Sequence, residues 1–219
     1  MTWDDLLEEL RGVVEDTVQP FAWSDTTLLG FLSEGQDKFC EDTGFFRDSS
    51  QTITLEEGVT SYVVPARTIE ILGIWYGYKK LTFFPAGTDF TYANDDWSTP
   101  ITGIPTAWRA DDTTGSVTIY PIPSADMDGV DLSVKVWRYG ADPLATSSTS
   151  PELPGRLQRA CIEWAAYKVL NFHYAETQDP IKAKDHLEMY KSYVRDGISM
   201  FRRSHGIDAS VGTDPAYRT

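Results

Sequence analysis

The residues able to do chemistry are few, and their spacing does not suit it. Acidic pairs stand at Asp4-Asp5, Glu8-Glu9, Glu56-Glu57, Asp95-Asp96 and Asp111-Asp112. Two carboxylates that share a reaction must face each other across a cleft, as in glycoside hydrolysis. Neighbours on one helix or strand point in different directions, so none of these pairs makes an acid–base couple. The three histidines, His173, His186 and His205, have no cysteine nearby and form no HExxH or Ser/His/Asp arrangement. His186 adjoins Leu187 at the edge of an apolar stripe, which reads as a structural or surface position. Asp126-Met127-Asp128-Gly129-Val130-Asp131 faintly resembles a calcium loop. It lacks the closing bidentate Glu, and a strand pattern follows it instead of a helix. A hairpin turn between 117–121 and 132–139 explains it better. Phosphate-cradling patterns, GxGxxG or GxxxxGK[ST], do not occur. The sequence thus predicts no catalytic residue, no metal ligand and no cofactor.

Composition narrows the partners. The 219 residues carry a net charge of −14. Residues 1–50 hold twelve acids against three bases, residues 51–150 twelve against six, and residues 151–219 nine against ten. Gripping a phosphate backbone needs clustered Lys and Arg, so a strongly acidic chain is a poor nucleic-acid clamp. Solubility is the plain reading of the charge, and a surface that repels passing DNA is the sharper one. The two cysteines, Cys40 and Cys161, each lie inside a helical apolar pattern, which predicts buried, reduced thiols. The N-terminus opens on an acidic amphipathic run and not on a signal peptide. No apolar stretch approaches the ~20 residues that span a bilayer, so no membrane partner is expected.

Two helices are expected first. Over residues 2–16, Trp3, Leu6, Leu7, Leu10, Val13 and Val14 recur at helical spacing, with Asp4, Asp5, Glu8 and Glu9 on the outer face. Thr2 is the expected N-cap, and Pro20 closes the segment. Over residues 24–43, Ser24 caps, Leu28, Leu29, Phe31, Leu32, Phe39 and Cys40 form the stripe, and Gly44 stops it. The short link predicts antiparallel neighbours, with Phe21 and Trp23 plugging the end.

From residue 49 the period changes to alternation. Segments 51–55 and 61–64 flank Glu56-Glu57-Gly58-Val59 as a hairpin, followed by strands near 69–76, 81–84, 106–109, 116–120 and 132–139. Nine of the twelve prolines fall between Pro65 and Pro154, which suits edges and loops. A Ser/Thr/Pro-rich connector at 141–154 precedes a third helix with Leu157, Cys161, Trp164, Ala165 and Lys168 on one face. Asp179-Pro180 starts a fourth that runs to about 204. Residues 207–219 are small, polar and without period, and alone would be disordered.

The predicted fold class is therefore α+β: a four-helix bundle, two helices N-terminal and two C-terminal, with an inserted antiparallel β-module and an extended C-terminal tail. The expected divisions are 1–48 and 143–205 (connector included) for the bundle, 49–142 for the β-module and 206–219 for the tail. Trp75, Tyr76, Tyr78, Phe83, Phe84, Phe90, Tyr92, Trp97 and Trp108 crowd the β-module. They read as core and loops, or as an interface, since Tyr and Trp anchor protein contacts. Trp75, Tyr78, Tyr92 and Trp97 are the candidates for contact with another subunit or the tail.

The order of several soft motifs resembles a known family. Trp3-Asp4-Asp5-Leu6-Leu7, Phe21-Ala22-Trp23-Ser24-Asp25 and Glu41-Asp42-Thr43-Gly44 are similar to phage head-to-tail adaptors, the tail tubular protein A group of short-tailed phages among them. So are Thr52-Ile53-Thr54-Leu55, Ser61-Tyr62-Val63-Val64-Pro65, Gly103-Ile104-Pro105-Thr106-Ala107-Trp108 and Val117-Thr118-Ile119-Tyr120-Pro121-Ile122-Pro123. Glu152-Leu153-Pro154 and Asp179-Pro180-Ile181-Lys182-Ala183 follow at matching places, and the likeness spans residues 2–204.

The resemblance implies a non-enzymatic virion protein of the head-tail junction, made in the host cytoplasm. It implies a ring, usually of twelve copies, between the portal protein and the tail nozzle or tail-tube protein. The helical part would wall a channel close to genomic DNA without specific binding, and the β-module would face neighbours or the tail. A C-terminal segment often reaches into the portal, making Ile207, Val211, Pro215, Tyr217 and Arg218 the portal-binding candidates. Asp4, Asp5, Glu8 and Glu9 become candidate channel-facing acids, over which DNA would slide without sticking. The competing reading is a carbohydrate-binding module that stacks sugar on its aromatic β-insertion.

Overall fold

The computed structural model of the chain describes residues 1–85, 101–111, 115–141, 150–172 and 178–204. Four helices are present: α1 (Trp3–Val13), α2 (Asp25–Thr43), α3 (Gly155–Leu170) and α4 (Pro180–Ser204). The strands are β1 (Phe46–Thr54), β2 (Ser61–Val63), β3 (Thr68–Tyr76), β4 (Lys79–Lys80), β5 (Thr82–Phe83), β6 (Thr102–Gly103), β7 (Ala107–Asp111), β8 (Ser116–Tyr120), β9 (Ile122–Pro123) and β10 (Asp131–Arg138). The class is α+β. Two compact units result, Met1–Phe46 with Tyr139–Thr219, and Arg47–Arg138.

In the helical unit the ends are set by local chemistry. Thr2 and Asp5 form a reciprocal capping box on α1, and Ser24 Oγ accepts from the Thr27 N–H on α2. Gly44 closes α2 in the left-handed region at φ 58°, where a side chain would be strained. At the start of α4, Asp179 Oδ1 accepts from the N–H groups of Ile181 (3.1 Å) and Lys182 (3.0 Å).

One core joins Leu6 and Leu10 of α1, Leu28, Leu32 and Phe39 of α2, Cys161, Ala165 and Val169 of α3, and Ala183 and Tyr190 of α4. Helix α3 touches all the others, with its largest contacts on α4 and α2. It is accordingly buried on more than the single face its periodicity predicts: Gln158, Ile162 and Glu163 are enclosed as well. Where α2 meets α3, a Cβ at Gly35 would lie 2.9 Å from the Cys161 Cα, so the glycine sets the approach of the two helices. Ahead of α3 the chain is tied to α2 at two points. The fully buried Gln36 donates to the Ala141 carbonyl (2.9 Å) and accepts from the Glu152 N–H (3.1 Å).

The β unit is a sandwich of two four-stranded sheets among the described residues, ordered β1-β10-β3-β4 and β2-β8-β7-β5, with a small β6-β9 pair. Ile53, Ile74, Leu132, Val134 and Val136 from the first sheet meet Trp108, Val117 and Ile119 from the second. Alternate burial along β8 and β10 gives the period of two that one packed face requires. The β3–β10, β3–β4, β2–β8 and β7–β8 pairs are antiparallel, and the short β5–β7 and β6–β9 contacts are parallel.

Three expectations about strands are corrected. Segments 51–55 and 61–64 are not a hairpin: β1 lies beside β10, and β2 pairs with β8 in the other sheet. The turn between them carries the chain from one layer to the next, because Leu55 exchanges backbone hydrogen bonds with Val130 and Gly129 instead of with β2. The stretch 81–84 is not one strand either. The chain crosses between sheets at the buried Leu81, leaving Lys79–Lys80 in one and Thr82–Phe83 in the other. Likewise the 126–131 segment does not link a hairpin, since β8 and β10 belong to different sheets. It holds a short 3-10 turn, Ala125–Met127, whose buried Met127 plugs the sandwich.

Candidate docking surfaces

Several side chains with catalytic potential are occupied within the fold. His186 Nδ1 lies 2.6 Å from Oε2 of Glu163, a carboxylate only 3% exposed, with Arg159 Nε at 3.9 Å from Oε1. This buried polar contact joins α3 to α4. Burial, with Cys40 close by, pushes the Cys161 thiol far above its ordinary range, so it stays protonated and non-nucleophilic. Asp128 and Asp131 accept from the Glu57 N–H (3.1 Å) and the Thr54 hydroxyl (2.6 Å). Among the described residues no group of three or more His, Cys, Asp or Glu side chains is placed to hold a metal.

The acidic face of α1 is only partly unpartnered. Asp5 closes the capping box, accepting from the Thr2 N–H at 2.7 Å, and that bond and its partner hold its carboxyl below the ordinary range. Glu9 pairs with Arg159 at 3.1 Å. Asp4 and Glu8 stand exposed beside them.

The aromatic candidates fall into three kinds. Tyr78 is fully exposed at the tip of the β3–β4 hairpin, beyond Gly77 at φ 56°. Trp75 lies half-buried over Gly73, where an added Cβ would meet its ring at 2.8 Å, with the Lys80 ammonium 5.4 Å from the ring centre. Tyr92 and Trp97 lie outside the described residues, as do Ile207, Val211, Pro215, Tyr217 and Arg218. Trp108 is core, 3% exposed, with Phe83 packed on it at 4.7 Å between ring centres. Both line a groove of about 1040 Å³ along the first half of β3. With Trp108 enclosed and Tyr78 on a hairpin tip, the described residues offer no broad aromatic platform of the kind sugar stacking uses.

The family model described as SU10 adaptor protein matches residues 1–211 of the chain. The chain belongs to that family. A search of curated proteins finds no match. Membership supports a structural, non-enzymatic phage adaptor, a virion component of the head-tail junction that works with portal and tail proteins and with its own copies.

The adaptor chain has a further surface that sequence reading places only in part. Beside the α1–α2 link, Val18, Phe21, Phe172 and Ile181 expose apolar surface. Trp23 holds Phe172 edge-on at 5.4 Å, and the Arg11 guanidinium lies 3.8 Å from the Phe21 ring centre. Arg11 is the clamp of this end: it donates to Asp16 (2.6 Å), to Asp25 (2.5 Å) and to the Trp23 carbonyl (3.0 Å). Asp16 also accepts from the Ala22 and Trp23 N–H groups. Phe21 therefore sits on a clamp at the rim, while Trp23 does the plugging. The one sequence signal for the clamp was a lone Arg on the inner side of an acidic helix.

Proposed function

We propose that the adaptor chain is the repeating subunit of a closed ring, of twelve copies as the resemblance implies, that joins the portal to the tail and surrounds the DNA channel. The observation that carries this reading is the adaptor-family match across residues 1–211. The four helices act as one bundle forming the ring wall, with Asp4 and Glu8 of α1 toward the channel and Asp5 and Glu9 on the same face. The net charge of −14 supports passage of DNA without adhesion. The β-module is the contact module, with Tyr78 at its hairpin tip and Trp75, Tyr92 and Trp97 as further contacts to a neighbour or to the tail nozzle or tube. Residues 206–219 are the portal-binding tail, with Ile207, Val211, Pro215, Tyr217 and Arg218 as its anchors.

Electron microscopy of the assembled particle tests the reading directly. A closed ring of this chain under the portal is the expected result, and its subunit count tests the number twelve. A location elsewhere in the particle, or no ring, would overturn it. Deleting residues 207–219 is expected to abolish portal docking while leaving the thermal unfolding of the chain nearly unchanged. Retained docking would discard the tail assignment.

A further inference from the structure

A row of cations runs along one face of α4. Lys184, Lys191 and Arg195 are exposed, at relative positions i, i+7 and i+11, and Arg202 continues the series at i+18. At about 100° per residue these positions point within about 20° of one direction, and at 1.5 Å per residue they extend about 27 Å. One carboxylate, Glu188, stands within the row, accepting from Lys191 at 2.8 Å. That hydrogen bond, with Lys184 and Arg195 close by, holds its carboxyl below the ordinary range. Three cations around one acid leave the face net positive in a chain of net charge −14. Like charges at i,i+4, as in Lys191 and Arg195, oppose helix formation unless something neutralises them.

Carboxylates without local cations gather at one pole of the β unit. Glu56, Glu57 and Asp126 are exposed there. Their two turns are stitched together by Glu57 N–H to Asp128 Oδ1 (3.1 Å), Gly58 N–H to the Pro123 carbonyl (3.0 Å) and Gly129 N–H to the Leu55 carbonyl (2.9 Å). Among the described residues no ion pair neutralises these three side chains. The pole is thus a pre-ordered set of acids, whereas on α1 Glu9 is paired with Arg159 and Asp5 is taken by the cap.

We infer that the Lys184–Lys191–Arg195 face of α4 in one copy receives the Glu56–Glu57–Asp126 pole of the next copy. This rests on the ring reading and names one of its seams. Copies that each carry −14 repel one another, so association needs opposed patches of opposite sign. Two different patches on one chain make a head-to-tail contact, the kind that closes into a ring. DNA is the weaker candidate for the same face, because the rest of the chain would repel its phosphates.

The test uses the full chain and two charge-reversed variants. One carries Lys184→Glu, Lys191→Glu and Arg195→Glu, and the other Glu56→Lys, Glu57→Lys and Asp126→Lys. Circular dichroism checks that each remains folded, and Lys184→Gln, Lys191→Gln, Arg195→Gln provides a milder version of the first. In sedimentation velocity at low salt the unaltered chain should self-associate, with each variant weakened about tenfold or more. Mixing the two variants should restore association beyond the heterodimer, because acid meets base both at the unaltered seam and at the charge-swapped one. If both variants assemble like the unaltered chain, the seam is wrong while the ring stands. If the unaltered chain is monomeric at every concentration and salt, both fail. If the α4 variant regains assembly when Asp4→Lys and Glu8→Lys are added, or loses only duplex-DNA retention, the acidic pole is not its partner.

Discussion

At the scale of single residues, the adaptor chain uses its buried charges to fix turns. Arg11 and Asp16 sit 2.6 Å apart with little exposure, and between them they hold four groups of the α1–α2 link. Removing one partner of such a pair leaves an uncompensated buried charge. Arg11→Ala should cost about 3 kcal/mol in urea denaturation, softened by the two backbone N–H groups that still serve Asp16. Asp48 gives a pH signature in the β unit. Hydrogen bonds from Ser50 and Gln51, with Arg138 at 3.4 Å, lower its carboxyl to about 2. A depressed carboxylate stabilises the fold above its unfolded value near 3.8 and loses that contribution as pH falls toward 2. In Asp48→Asn, melting temperature should fall less steeply between pH 4 and 2. An unchanged slope would remove Asp48 from the acid response.

At the scale of elements, glycines distinguish contact from filler. A Cβ at Gly197 of α4 would stand 2.4 Å from Cζ of Phe39 on α2, whereas Gly30 has open space. Both lie in helices, where alanine is intrinsically better by about 1 kcal/mol. Gly197→Ala should nonetheless destabilise by about 1–3 kcal/mol through overpacking, and Gly30→Ala should stabilise by up to about 1 kcal/mol. Opposite signs in denaturant titration check the claim. The element boundaries themselves were largely legible. Thr2, Ser24, Gly44 and Asp179-Pro180 are local signals and act locally, within a turn of where they stand. The width of the buried face on α3 was not legible, because enclosure of Gln158 and Glu163 depends on neighbours far away in sequence.

At the scale of the whole molecule, the β unit begins and ends at one place. The Arg47 guanidinium lies 5.5 Å from the Trp137 ring centre, and Arg138 pairs with Asp48. A segment with adjacent ends and its own core should fold alone. Expressed by itself, Arg47–Arg138 should unfold cooperatively and give dispersed amide resonances, and a collapsed spectrum would refute its independence.

The sequence by itself determined most helix limits, the switch to strand periodicity and the acidic balance, because caps, period and composition act over a few residues. Only the tertiary structure decided which strands pair. Turn chemistry at 56–59 permits a hairpin, yet Leu55 bonds to Gly129 and Val130, and β1 and β2 enter different sheets. Pairing is settled by which layer can bury each apolar face, and that is a property of the whole sandwich. The same holds for the docking surfaces. Trp108 and Tyr78 look alike as letters, but one is enclosed between sheets and the other stands on a hairpin tip. The basic row on α4 was spelled at helical spacing all along. It became a face only once the fold left Lys184, Lys191 and Arg195 exposed around Glu188.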